Sequence, residues 1–203
     1  MRRSRFWLAT AGALALLLGM IGVALASTPG ADVRLTHDNS AQGGYVSADD
    51  LAGLPHYTDA TLTECSRSRG RQNEPADEID PRNPNVIVGS SNDYCGVYNN
   101  GVDADGAPIA SGPIWLGYYR SENGGTTFTS SLVPGYPGDT STLGALSQAR
   151  TASSGDPVVT WDAEGRLFMG SETSDDPAGT KKTFGDEWVA HYVNSSGGTP
   201  ERR

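Results

Sequence analysis

Glu74 and Asp156 each stand directly before a proline. Carboxylate oxygens can bind a cation or accept hydrogen bonds from the hydroxyl groups of a ligand. They can equally accept backbone N–H bonds from a neighbouring sheet, and the sequence leaves both interpretations open. Arg71 and Arg150 lie near the two acids in sequence and could bind an anionic group, although arginines in loops are usually solvated. We take Glu74, Asp156 and Arg71 as candidate binding residues and assign no catalytic residue.

The two acid–proline pairs open two copies of a repeat. When residues 73–90 are placed over residues 155–171, the prolines coincide, and a turn one residue shorter in the second copy brings one Gly-Ser pair onto the other. Residues 115–126 match residues 188–199 at Trp, Tyr, Gly, Gly and Thr. Each copy is predicted to run strand, turn, strand, loop, strand, Gly-Gly turn, strand, which is the composition of one β-propeller blade.

Short apolar alternations separated by Gly, Pro, Asn and Asp predict strands with no helices between them. Residues 143–150 are predicted to form two helical turns at most. We therefore predict an all-β fold, a partial β-propeller of about two four-stranded antiparallel blades, which would be the first part of a longer protein because two blades cannot close a ring. The predicted strands are Ala76–Asp80, Val86–Ser91, Ile114–Arg120, Thr126–Val133, Val158–Trp161, Arg166–Ser171 and Glu187–Val193.

The stretch SENGGTTF, residues 121–128, lies between two predicted strands. Its glycines accept positive φ, so a simple hairpin turn is one interpretation. The stretch also resembles the Asp-box, or BNR repeat, of sialidase-like propellers, with Asn123 where Asp is usual. The resemblance, which extends over about residues 72–199, implies a structural turn between the third and fourth strands of a blade. The matching residues are Ser121, Asn123, Gly125, Thr126 or Thr127, and Phe128.

Resemblance to exported bacterial sialidase-like propellers implies an expected chemistry. Sialidases use a tyrosine nucleophile with an activating Glu, an Asp acid/base and three arginines that bind the substrate carboxylate. If Pro75 matches the proline of the family's Arg-Ile-Pro opening, Asn73 stands where the first arginine is expected. Asparagine lacks the charged, bidentate donor fork of arginine.

Two functions are therefore kept open. The first is a secreted sialidase-like propeller that acts on or binds extracellular glycans, with exo-sialidase activity only in a complete chain and this chain alone inactive. The alternative is a non-catalytic BNR-repeat propeller that binds glycan or protein at the cell surface, and Asn73 favours it.

The first 26 residues have a basic start, an apolar run and small residues at Ala24 and Ala26, which is the layout of a signal peptide. An uncleaved membrane anchor is the alternative. Residues 27–72 are predicted to be an irregular extension that wraps over the folded part, and residues 73–203 to be the propeller blades. We expect the protein to be secreted, extracellular or periplasmic.

Charge and cysteine content restrict the partners. The formal net charge is −9, and removal of the signal peptide takes away three arginines and no acids, so nucleic acid and anionic membrane surfaces are not expected partners. The two cysteines, Cys65 and Cys95, are predicted to form a disulfide because the chain is exported. No cofactor or metal site is predicted, although calcium at the propeller rim is a hypothesis that the sequence does not assign.

Overall fold

A computed structural model describes residues 30–68, 70–95, 114–147, 153–174, 185–193 and 201–202. The chain divides into the units Met1–Asp32 and Val33–Arg203, and the fold below is that of the second. The predicted signal peptide, Arg150 and the second Gly-Gly turn lie outside the described residues.

Blade 1 is an antiparallel sheet in which consecutive strands are neighbours, in the order β1-β2-β3-β4. The strand predicted at Ala76–Asp80 begins earlier in the structure, because it continues through Pro75 as a bulge. The strand predicted at Thr126–Val133 is shorter in the structure, because its first two threonines belong to the preceding turn. The strands are β1 Gln72–Ile79, β2 Ile87–Asp93, β3 Trp115–Ser121 and β4 Thr129–Leu132.

Blade 2 has the same topology, β5-β6-β7-β8, and so completes the predicted pair of four-stranded sheets. Its outermost strand has two residues, paired with the end of β7. The all-β, partial-propeller architecture is therefore confirmed, and the two repeats are separate sheets. The strands are β5 Ser153–Trp161, β6 Leu167–Ser174, β7 Glu187–Val193 and β8 Glu201–Arg202.

A bulge in the first strand of each blade fixes how the two copies correspond. In both strands an acid and a proline occupy the space opposite a single serine, Ser91 in blade 1 and Ser171 in blade 2. The predicted match of Ser90 to Ser171 is therefore wrong by one residue, because the turn after the first strand is two residues shorter in blade 2. Backbone bonds close it from Asp80 to Val86 in blade 1 and from Asp162 to Arg166 in blade 2.

The third strands correspond differently from the sequence match as well. Trp188 lies opposite Ser171, whereas Trp115 lies opposite Asp93 at the end of β2. Gly117 therefore holds the position of Trp188, and the predicted tryptophan match is wrong by two residues. The two indole rings nevertheless stack between the blades, with centroids 6.4 Å apart.

The core lies between the two sheets, which pack face to face. Tyr118 of β3 stacks on Tyr192 of β7 with ring centroids 5.3 Å apart, and both side chains are buried. Met169 and Leu167 of β6 fill the same layer and are fully buried. Because side chains alternate between the two faces of a strand, Leu167, Met169 and Tyr192 lie on the same face of blade 2.

Residues 33–68, here named the cap, cover the other face of blade 1. The cap contains two α-helices, α1 Ala48–Leu51 and α2 Ala60–Ser68. The expectation of an irregular extension without a convincing helix is thus corrected. Asp59 caps α2, since its carboxylate accepts from the N–H of Leu62 at 2.8 Å. The predicted wrapping of this extension over the folded part is present.

The predicted disulfide is confirmed and fastens the cap to blade 1. Cys65 of α2 is bonded to Cys95, directly beyond β2. Polar bonds supplement it: Val46 N–H donates to Ser130 O at 3.0 Å, and Ser130 Oγ donates to Leu35 O at 2.7 Å.

Candidate functional site

The two acid–proline pairs come together where the blades meet. Glu74 and Asp156 occupy equivalent bulge positions and share an unusual backbone conformation, with φ of 53° and 52°. Positive φ is rare for residues other than glycine and costs of the order of 1–3 kcal/mol. Both side chains are exposed. The fold therefore presents two carboxylates, one from each blade, on two strained bulges.

Asn92 of β2 connects the two carboxylates. Its side-chain amide nitrogen, Nδ2, donates to Glu74 Oε2 within blade 1 and lies 3.5 Å from Asp156 Oδ1 in blade 2. Its Oδ1 accepts from the backbone N–H of Asp156 at 2.7 Å. Asn92 is 3% exposed, so its amide is largely removed from water, where an unpaired amide would be costly. A buried amide thus holds both acids within reach of one nitrogen.

The bonds at the two acids differ from the backbone N–H bonds to their carboxylates that one of the two interpretations expects. A backbone N–H of one blade is bonded across the interface, but its acceptor is the Asn92 amide. The exposed carboxylates present acceptor oxygens at the surface, which suits hydroxyl groups of a ligand. Sequence reasoning did not select Asn92, whose only signal is its position as the last residue but one of a strand that contains two serines.

The other candidate residues are less closely placed. Arg71 precedes β1, its side chain is exposed, and its backbone carbonyl accepts from Tyr94 N–H at 3.0 Å. Among the described residues, its guanidinium forms no ion pair with either acid. Asn73 is exposed in β1 and lies opposite Asn92.

The turn at residues 121–128 connects β3 to β4, as predicted. Ser121 Oγ accepts from the N–H groups of Asn123 at 3.3 Å and Gly125 at 2.9 Å. Asn123 Oδ1 accepts from Thr127 N–H at 2.9 Å, the bond expected of an amide in place of a carboxylate. Phe128 is buried in the core. The contacts of these side chains lie within the turn and the core, which is a structural role.

A buried polar network beneath the cap was not anticipated. Asp93 is fully buried, and its carboxylate accepts from Tyr45 Oη at 2.5 Å, Tyr119 Oη at 2.8 Å and the Cys95 N–H at 2.9 Å. Gln72 Nε2 adds a fourth bond at 3.2 Å. Burial raises the pKa of Asp93. Burial, and then the neighbouring Asp93 carboxylate, raise the pKa values of Tyr45 and Tyr119 well above their usual range.

Two further findings concern metals and membranes. The described residues contain no group of three or more His, Cys, Asp or Glu side chains arranged to hold a metal ion. Within the same residues, no helix has the length and apolar character needed to cross a bilayer.

Comparisons with known proteins give little further guidance. No protein-family model matches the chain, and no curated protein sequence matches it. A solved structure is similar at 19% identity with a TM-score of 0.36, over 67% of this chain and 32% of that chain. Its description concerns the GH130 family of mannoside phosphorylases, containing glycoside hydrolases that target β-1,2-mannosidic linkages in Candida mannan. The chain thus spans about a third of that neighbour.

Proposed function

We propose that this chain is part of a secreted, sialidase-like propeller that binds or acts on extracellular glycans at the meeting point of its first two blades. Glu74 and Asp156 would accept hydrogen bonds from sugar hydroxyls, and Asn92 would fix the spacing of the two carboxylates. The turn at residues 121–128 would be an Asp-box with a structural role, as the family resemblance implies.

The observation that carries the proposal is the pairing of two exposed carboxylates from different blades on one buried amide. Both acids are held at positive φ, and strained backbone is concentrated at functional sites in proteins. Charged acceptors form hydrogen bonds of about 1.5–3 kcal/mol, enough to orient a sugar. Because the site combines both blades, each blade alone would hold only half of it.

A second candidate function, non-catalytic binding at the cell surface, is favoured by one specific residue. Asn73 occupies the position where the family resemblance calls for an arginine, and among the ion pairs of the described residues none joins Arg71 to the acids. Without a guanidinium, recognition of a sialic acid carboxylate would lose its bidentate partner. This candidate predicts binding of neutral sugars with no preference for sialylated ones.

Calorimetric titration of the disulfide-bonded protein with 3′-sialyllactose and lactose tests both candidates. Tighter binding of 3′-sialyllactose supports the sialidase-like function, and equal binding supports the neutral-sugar alternative. Glu74→Gln and Asp156→Asn should each weaken binding about tenfold or more, because each removes a charged acceptor. A fluorogenic sialoside assay in parallel reports hydrolysis directly.

The matched control is Glu78→Gln, which neutralises another exposed acid of the same strand. This variant should bind as the unaltered chain does. If neither sugar binds, the glycan proposal fails for this chain. If sugar binds but Glu74→Gln and Asp156→Asn leave the affinity unchanged, the glycan function survives and the assignment of the two carboxylates is wrong.

A further inference from the structure

One face of blade 2 exposes an apolar row, with the paired acids Glu172 and Glu187 beside it on the same face. Val158, Gly170 and Val189 lie in a row across β5, β6 and β7. The valines are 61% and 64% exposed, and a side chain at Gly170 would lie 3.9 Å from each of them. In the next row Phe168 and His191 stack with ring centroids 4.7 Å apart. We name this the open face of blade 2.

The equivalent face of blade 1 is covered by another sheet. The bulges place Ala76 and Ser90 at the positions of Val158 and Gly170, and the register adds Tyr118 beside Ser90. Tyr118 is 1% exposed because it stacks on Tyr192 of blade 2. In this fold, such a face is thus a surface on which the opposite face of another blade packs.

In each blade the other face of the sheet is covered. Blade 2 turns one such face towards blade 1, and blade 1 turns its own towards the cap; we name the latter the far face of blade 1. Gly89 of the far face lies under Leu35, since a side chain there would be 2.9 Å from that leucine. Asp93 on the same face bonds Tyr45. The cap therefore occupies on blade 1 the place that blade 1 occupies on blade 2.

We propose that the open face of blade 2 docks on the far face of blade 1 in a second copy of the chain, and that the cap blocks this docking while the Cys65–Cys95 disulfide is intact. The contact would repeat the packing that already joins blades 1 and 2. It is head to tail, because the two docking faces differ, so assembly can continue beyond a dimer.

We expect the cap to leave without separating the blades, because the direct contacts between the blades use no residue of the cap. The blades are joined by Tyr118 on Tyr192, by Asn92 on Asp156, and by Ser154 N–H donating to Ile114 O at 2.9 Å. The disulfide joins the cap to blade 1 and takes no part in the contact between the blades. Dithiothreitol supplies two electrons and two protons, the S–S bond becomes two thiols, and the reductant closes to its cyclic disulfide.

Sedimentation velocity over a range of protein concentrations, with and without dithiothreitol, tests the proposal. The oxidised chain should remain monomeric, and the reduced chain should form species of at least twice the mass. The double variant Val158→Asp, Val189→Asp should stay monomeric when reduced. Leu146→Asp, a control at an exposed apolar residue of the short 3-10 helix Gly144–Leu146, outside both faces, should associate as the unaltered chain does. The double variant Cys65→Ser, Cys95→Ser should associate without any reductant.

Near-ultraviolet circular dichroism of the same samples keeps the result interpretable. Retained aromatic signals with no association on reduction would overturn the docking proposal. Loss of those signals on reduction would overturn it too, because the cap would then not be separable from the sheets. Equal association of oxidised and reduced chains would show that the cap does not control docking. Equal association of the Val158→Asp, Val189→Asp variant would show that the open face is not the surface used.

Discussion

Blade 1 and blade 2 share one backbone plan but bury different chemistry. The last four residues of β2 are Ser90, Ser91, Asn92 and Asp93, and all are buried. The buried residues of β6 include Leu167 and Met169 along with polar ones. Blade 1 is covered on both faces, by the cap and by blade 2, whereas blade 2 leaves its open face exposed.

The difference shows that covering a sheet on both faces does not require an apolar sheet. Each of the buried polar groups of β2 has partners: Ser90 Oγ donates to Gly117 O at 2.7 Å, and Ser91 Oγ lies 2.9 Å from Tyr119 Oη. Polar groups satisfied in this way specify which segments meet, while an unsatisfied one would be costly. In blade 1, polar pairing thus selects the cap on one side and blade 2 on the other.

The largest expected effect comes from removing the carboxylate under the cap. Asp93→Ala should lower the free energy of unfolding by about 3–5 kcal/mol, because it leaves several buried donors without an acceptor. The side chain of Thr173, the residue at the equivalent position of β6, bonds the backbone of Asp186. Thr173→Ala should cost about 1 kcal/mol. Urea unfolding of the two variants measures the contrast between the blades.

Equal losses of unfolding free energy in Asp93→Ala and Thr173→Ala would contradict the proposed difference between the blades. If Asp93→Ala is as stable as the unaltered chain, the polar network around Asp93 does not hold the cap. The conservative variant Tyr45→Phe removes one of the four donors and should fall between the two alanine variants.

An intermediate effect is expected at the contact between the blades. Asn92→Ala removes the acceptor of the Asp156 N–H and the donor to Glu74, and should cost about 1–3 kcal/mol in unfolding free energy. Glu172 holds the equivalent position in blade 2 and is only half-buried, so Glu172→Ala should cost less than about 1 kcal/mol. Equal losses, measured by urea unfolding, would mean that Asn92 does not join the blades.

Local patterns predicted much of this fold. Seven of the eight described strands, the Gly-Gly turn of blade 1 and the disulfide follow from short-range alternation, from glycine and from there being two cysteines in the chain. The alignment of the two blades was not predicted correctly. Identical Gly-Ser pairs and tryptophans were matched in sequence, but the bulges and the strand register place them one or two residues apart. Helix α2 was missed because its sequence, ATLTECSRS, has little apolar period. The helix is held in place through two of its own buried side chains, Leu62 and Cys65.

The candidate site was predictable only in part. The sequence showed the two acids that precede prolines, and the predicted pair of blades offered a position at which the acids could meet. Their connection through Asn92 depends on a contact between two blades, which are far apart in sequence. Asp93 was overlooked because burial of an acid is improbable until the donors around it are known.

A smaller effect is expected in the turn of blade 1. Ser121→Ala removes the acceptor of two backbone N–H groups and should lower the unfolding free energy by about 1–2 kcal/mol. Thr126→Ala, an exposed residue of the same turn, should cost about 0.5 kcal/mol or less. If thermal unfolding ranks the two variants in the opposite order, the serine does not organise the turn.

The last prediction concerns the pH dependence of stability, measured by urea unfolding between pH 4 and 7. Burial raises the pKa of Asp93 in the folded state above the value of about 4 expected in the unfolded chain. Between these two values the folded state binds more protons, so the unfolding free energy falls as the pH rises. Asp93→Asn lacks this ionisation, and its unfolding free energy should fall less over the same range. Parallel curves for the two proteins would mean that Asp93 titrates alike in both states, and a steeper fall in Asp93→Asn would reverse the assigned direction.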